Sequence, residues 1–165
     1  MGATIKSLYD TDFVEWTAHM AQLLRERRFD EVDLENLAEE IEDLGKSDRS
    51  AVASQLARML LHLVKERIQP ERAGNSWRTS IVDGQREIWF KLEDSPSLRR
   101  YLGGNLNRIY RRAVRDALQE TGLADRAADL DIPKDCPYTL ADLLEGDLTA
   151  LQRHIEGHIE GHIEG

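Results

Sequence analysis

The sequence predicts an all-α fold, a compact antiparallel bundle of four to five main helices with a short helix near the C-terminus. Three observations carry this. Apolar residues recur at three- and four-residue steps along most of the chain, the spacing that lines one face of a helix. No stretch alternates apolar and polar residues long enough to read as a strand. The punctuation is helical too, with Asp, Ser or Thr opening the apolar stripes and Gly or Pro closing them.

Asp12, followed by Glu15, resembles a capping box, and Phe13, Trp16, Met20, Leu23 and Leu24 form the stripe behind it, so a helix is expected to about Arg28. Asp33 reads as the next N-cap, ahead of Leu34, Leu37, Ile41 and Leu44. Gly45 and Ser47 predict a kink or short break. The stripe resumes at Val52, Leu56, Met59, Leu60, Leu63 and Val64, and Pro70 stops it. Ser76 caps a helix with Trp77, Ile81, Ile88 and Leu92 inward and Gly84 as its weak point. Pro96 opens another as first helical residue, with Leu98, Leu102, Leu106, Ile109 and Ala113 running to about Thr121 and Gly122 as C-cap. Gly103 and Gly104 weaken it. Pro133 and Pro137 mark an irregular stretch, and Thr139 caps a last short helix holding Leu140, Leu143 and Leu144. The expected core is Phe13, Trp16, Leu37, Ile41, Leu56, Met59, Leu63, Trp77, Ile88, Leu98 and Ile109.

At 165 residues and 41% hydrophobic, the chain suits one packed domain, taken as residues 1–147. No run approaches the roughly 20 apolar residues of a membrane span. Residues 1–12 lack the basic and apolar segments of a secretory signal, and Cys136 is the single cysteine, so a cytoplasmic protein without disulfides is expected. The net charge of −9 is unevenly spread. Residues 1–57 carry 6 basic and 13 acidic side chains, residues 58–118 carry 13 and 7, and residues 119–165 carry 3 and 11. Either acidic and basic helices neutralise each other within the fold, or a basic face is kept for an anionic partner.

Residues 148–165 read as a mobile tail ending in three copies of His-Ile-Glu-Gly, starting at His154, His158 and His162. Those imidazoles offer weak chelation of Ni²⁺ or Zn²⁺. No cofactor is expected elsewhere.

Several phrases stand in a distinctive order: Leu8-Tyr-Asp-Thr-Asp-Phe13, Asp33-Leu-Glu-Asn-Leu37, Glu39-Glu-Ile-Glu-Asp-Leu-Gly45, Leu61-His-Leu63, Gln69-Pro-Glu-Arg72, Ser76-Trp-Arg78, Asp94-Ser-Pro-Ser-Leu98, Glu120-Thr-Gly122 and Cys136-Pro-Tyr-Thr139. Together, over about Leu8 to Leu144, they resemble the bacterial family known as domain of unknown function 29. The resemblance implies a helical fold and no reaction, so it supplies no catalytic residues.

The acidic run Glu39 to Asp43 does not make a di-iron site, because no Glu-x-x-His pair stands in the helical body. His62 and Glu66, four apart, share a helix face and form either a buried structural pair or a base with its partner. Arg72, Trp77 and Arg78 surround a turn, where cationic and amphipathic groups serve recognition or anchor the next helix. Arg108, Arg111, Arg112 and Arg115 make a stripe suited to phosphate or carboxylate. The function these features support first is a non-enzymatic bacterial interaction or regulatory module whose partner is another protein. A nucleic-acid-associated protein using the arginine stripe is the alternative, disfavoured by the pI near 5.1. An enzyme with its site at His62, Glu66, Arg72 and Trp77 is the third reading.

Overall fold

The structure, a computed structural model, describes residues 5–147, with side chains from Leu8 onward. The expected all-α helical bundle is observed, with no strand among the described residues. The helices are α1 Ile5–Thr11, α2 Phe13–Arg25, α3 Leu34–Ile68, α4 Asn75–Asp94, α5 Ser97–Thr121 and α6 Leu140–Glu145. Short 3₁₀ turns occupy Phe29–Glu31, Pro70–Arg72 and Ala124–Asp129. The tail with His154, His158 and His162 lies outside the described residues. The chain forms two compact units, one ending at Ser47 and one beginning at Asp48.

In the first unit, Asp12 caps α2 as expected, its carboxylate accepting the Glu15 N–H at 3.0 Å. The helix ends at Arg25, three residues before the expected Arg28, because Arg27 turns left-handed at φ 59°. The Arg28 N–H then reaches back to the Leu23 carbonyl at 2.9 Å and the Arg27 N–H to that of Leu24 at 3.2 Å. This is the Schellman closure with arginine where glycine is usual. Trp16, Met20, Leu23 and Val32 make the buried cluster, with Leu8, Tyr9 and Leu37 packed against it. Tyr9 stands edge-on to Trp16 at 4.9 Å and donates its hydroxyl to Glu40 Oε1 at 2.6 Å. The short α1 was not among the expected helices.

Two expectations about this region are corrected. Gly45 and Ser47 do not break the helix, and α3 runs unbroken for 35 residues. One mid-helix glycine costs only about 1 kcal/mol relative to alanine, and Lys46 supports the turn through Asp43 at 2.9 Å and Glu42 at 3.8 Å. Phe13 and Ile41 are not core residues, being 46% and 61% exposed. Leu34 and Leu44 are exposed as well, and Leu37 is half-buried. Their spacing specifies a helix face but not that anything covers it.

In the second unit, Val52, Leu56, Met59, Leu60, Leu63 and Val64 of α3 pack with Ile81 and Ile88 of α4, with Leu98, Leu102, Ile109 and Tyr110 of α5, and with Leu143 and Leu144 of α6. Gly84 is where α4 meets α3, for a Cβ there would stand 2.6 Å from Met59 Cγ. Gly74, two residues earlier than the expected Ser76, precedes the first residue of α4, and Pro96 precedes the first residue of α5. Gly103 and Gly104 leave α5 continuous for 25 residues, and Gly122 at φ 70° closes it as expected. Thr139 and Asp142 form a full capping box at α6. Gln85 of α4 donates to the carbonyls of Leu143 at 3.0 Å and Gly146 at 2.9 Å, satisfying groups at the end of that helix.

Candidate functional site

Of the residues singled out around the α3–α4 connection, the structure gathers some. His62 and Glu66 lie on α3, and the His62 ring is 6.3 Å from that of Trp77, which is half-buried rather than in the core. Lys65 holds its ammonium 5.0 Å from the Trp77 ring centre and donates to Glu120 at 3.1 Å. Glu66 is 5% exposed, and its Oε1 has no hydrogen-bond partner among the described residues. The same holds for His62 Nδ1. Burial holds the Glu66 carboxyl above its usual range, with Arg78 opposing. Burial lowers His62, assisted by Lys65 and Arg58. Arg78 is exposed on α4, and Arg72 is exposed in the 3₁₀ turn, without an ion pair among the described residues.

Chemically this is an imidazole whose protonated form burial disfavours, one helical turn from a carboxyl whose ionised form burial disfavours. A general base must reach a substrate proton. One shallow depression, of about 290 Å³, is lined by Asn75, Arg78, Thr79, Val82 and Asp83. A second, of about 180 Å³, is lined by Gln55, Arg58, Ser80, Asp83, Gly84 and Glu87. Neither includes His62 or Glu66.

Behind this pair sits a polar cluster that periodicity does not reveal. The Arg67 side chain, 9% exposed, donates from Nε to the Asp131 carbonyl at 2.5 Å and from Nη2 to its carboxylate at 2.6 Å. Tyr110, buried on α5, donates its hydroxyl to the Pro133 carbonyl at 3.0 Å. Asn107 accepts the Cys136 N–H at 2.9 Å. Burial pushes the Cys136 thiol up to about 11 and the Tyr110 phenol to about 12, and Tyr138 higher still. A thiol so held is a packing group, not a nucleophile. These bonds fasten the irregular stretch after α5 to the helices. The signal for them was Arg67 in a strongly apolar helix and the phrase Cys136-Pro-Tyr-Thr139, both without an inferable partner.

The arginine stripe is on the surface of α5. Arg111, Arg112 and Arg115 have side chains 65%, 62% and 74% exposed. Their carboxylate partners are distant: Asp135 at 3.7 Å from Arg111, and Asp116 at 3.6 Å from Arg112 and 3.4 Å from Arg115. Arg108 is exposed and forms no ion pair among the described residues. Asp48, at the end of the acidic segment, pairs with Lys91 of α4 at 2.8 Å.

Among the described residues no group of His, Cys, Asp and Glu is placed to hold a metal ion, and no helix is long and apolar enough to cross a membrane. The model of the family described as domain of unknown function DUF29 matches residues 8–149. No curated protein and no solved structure matches the chain.

Proposed function

From the premise that the chain belongs to the DUF29 family, whose description assigns no reaction, we propose that it is a non-enzymatic helical interaction module of the bacterial cytoplasm that binds another protein. The observation that supports this is the face of α3 carrying Leu34, Ile41 and Leu44, which are 62%, 61% and 70% exposed. Full burial of such a side chain stabilises by about 1.5–3 kcal/mol. Soluble monomers seldom leave several grouped on one face, and where they do the patch usually marks a contact surface. Glu35, Glu39 and Glu42 run beside it on the same helix, giving the face an acidic border.

The test replaces Ile41 and Leu44 together by Ser. The thermal midpoint should stay within about 2 °C, since neither side chain is packed. Proteins cross-linked to the wild-type chain in its native host should no longer be recovered with the variant. Equal recovery with both forms would overturn the proposal.

A further inference from the structure

We infer that the arginine stripe of α5 is a docking surface for a second copy of this chain, and that it receives the acidic first half of α3 from that copy. This deepens the proposal above by naming the partner, and it rests on the α3 face being a contact surface.

Among the described residues the stripe carries more positive charge than is paired. Four exposed arginines face two carboxylates, one of which, Asp116, serves two of them at 3.6 and 3.4 Å. Arg100, two turns before Arg108, is also exposed and forms no ion pair among the described residues. Gly104 lies between them, one turn before Arg108 on the same face. A Cβ there would meet nothing within 4 Å, so packing among the described residues gives no reason for a glycine in mid-helix. A bare backbone at that spot lets a second helix approach closely, with the arginines on either side.

The matching row is on α3. Glu35, Glu39 and Glu42 are exposed and spaced at four and then three residues, as are Arg108, Arg112 and Arg115. Arg108, Arg111 and Arg115 give the same spacing reversed, so the two helices match in either direction. Seven residues of helix span about 10.5 Å in both cases. Leu34 and Ile41 flank the glutamates, and the methylene stems of the arginines would cover them while the guanidinium groups pair. A phosphate backbone offers the stripe charge but leaves those apolar side chains uncovered, and the net −9 of the chain opposes it. Each copy carries both rows, so identical copies supply both sides of the contact.

Sedimentation velocity and light scattering at tens of micromolar test this. The wild type should be dimeric near 100 mM salt and dissociate at least tenfold more readily at 1 M, where the screening length falls from about 10 Å to about 3 Å. Arg111→Glu with Arg112→Glu should give a monomer, and so should Glu39→Arg with Glu42→Arg, each with unchanged helical circular dichroism. Mixing the two variants should restore the dimer, because each reversed row then meets a reversed row. Arg111→Gln with Arg112→Gln, which removes charge without adding repulsion, should also weaken association. A wild type that stays monomeric at every salt concentration would overturn the inference while leaving the Ile41 and Leu44 test of a foreign partner intact. Variants that dimerise like wild type would overturn it too, as would an arginine stripe whose only measurable loss on mutation is retention on DNA or RNA.

Discussion

Arg67 holds Asp131 by two hydrogen bonds, one to its backbone carbonyl at 2.5 Å and one to its carboxylate at 2.6 Å, across 64 residues of sequence. The two ends of this pair are unequal, since the arginine is 9% exposed and the aspartate 76%. Arg67→Ala should therefore cost roughly 1.5–3 kcal/mol in urea unfolding, because both charge-assisted bonds and the buried stem are lost. Asp131→Ala should cost less than about 1 kcal/mol, for the carbonyl remains and an exposed carboxylate gains little from pairing. Equal losses would show that the carboxylate, not the backbone contact, is what fastens this stretch.

Gly84 and Gly104 occupy similar sequence settings and should respond oppositely to alanine. At Gly84 the new methyl stands 2.6 Å from Met59 Cγ and 3.3 Å from its sulfur. The resulting overpacking should destabilise by about 1–3 kcal/mol. At Gly104 the methyl meets nothing within 4 Å among the described residues, and the stability of the single chain at low concentration should rise by up to about 1 kcal/mol. Thermal unfolding of the two variants beside wild type decides both.

Glu66 and His62 predict opposite pH trends. The folded chain holds the Glu66 carboxyl above its ordinary 4.5 through burial. Its contribution to stability is therefore full below that value and is lost as pH rises through the raised one. Glu66→Gln should raise the urea midpoint at about pH 7, with the gain fading toward about pH 4. His62 is held below its ordinary 6.5, so its contribution is intact above that value and declines as pH falls. His62→Gln should flatten the wild-type loss of stability between about pH 6.5 and 5. A constant difference at every pH would mean neither group titrates in its buried setting.

Leu63 and Ile41 sit on the same helix and have the same carbon count, yet they should differ sharply. Leu63 is 1% exposed, and Leu63→Ala should cost about 2–5 kcal/mol. Ile41, at 61% exposure, should lose less than about 0.5 kcal/mol to alanine as an isolated chain. Denaturant titration at low protein concentration measures both.

What the sequence made legible was local. The Asp12 cap, the Thr139 cap, the Gly122 closure and the start of α5 beside Pro96 each depend on residues within a few positions, and each is where it was expected to within a residue. The buried stripe from Val52 to Val64 was equally readable, because one helix face carries it. The residues misread were those whose environment depends on distant parts of the chain. Ile41 obeys the same spacing as Leu56 but is 61% exposed, and one glycine such as Gly45 costs too little to break a long helix. Of the candidate site, the pairing of His62 with Trp77 was foreseeable from their closeness around one turn, whereas the Arg67–Asp131 clasp joins residues that no pattern links.

The bonds from Gln85 to Leu143 and Gly146 bear on how the molecule is made. A six-residue helix is too short to persist alone in water, so α6 depends on the surface that receives it. That surface is built from residues synthesised well before it, while Leu143 and Leu144 complete the same apolar cluster. A nascent chain therefore carries an unfilled seat for α6 until residues 140–146 leave the ribosome. Closure of the second unit therefore waits for these residues, and the interval before they emerge is when a chaperone would have most to cover.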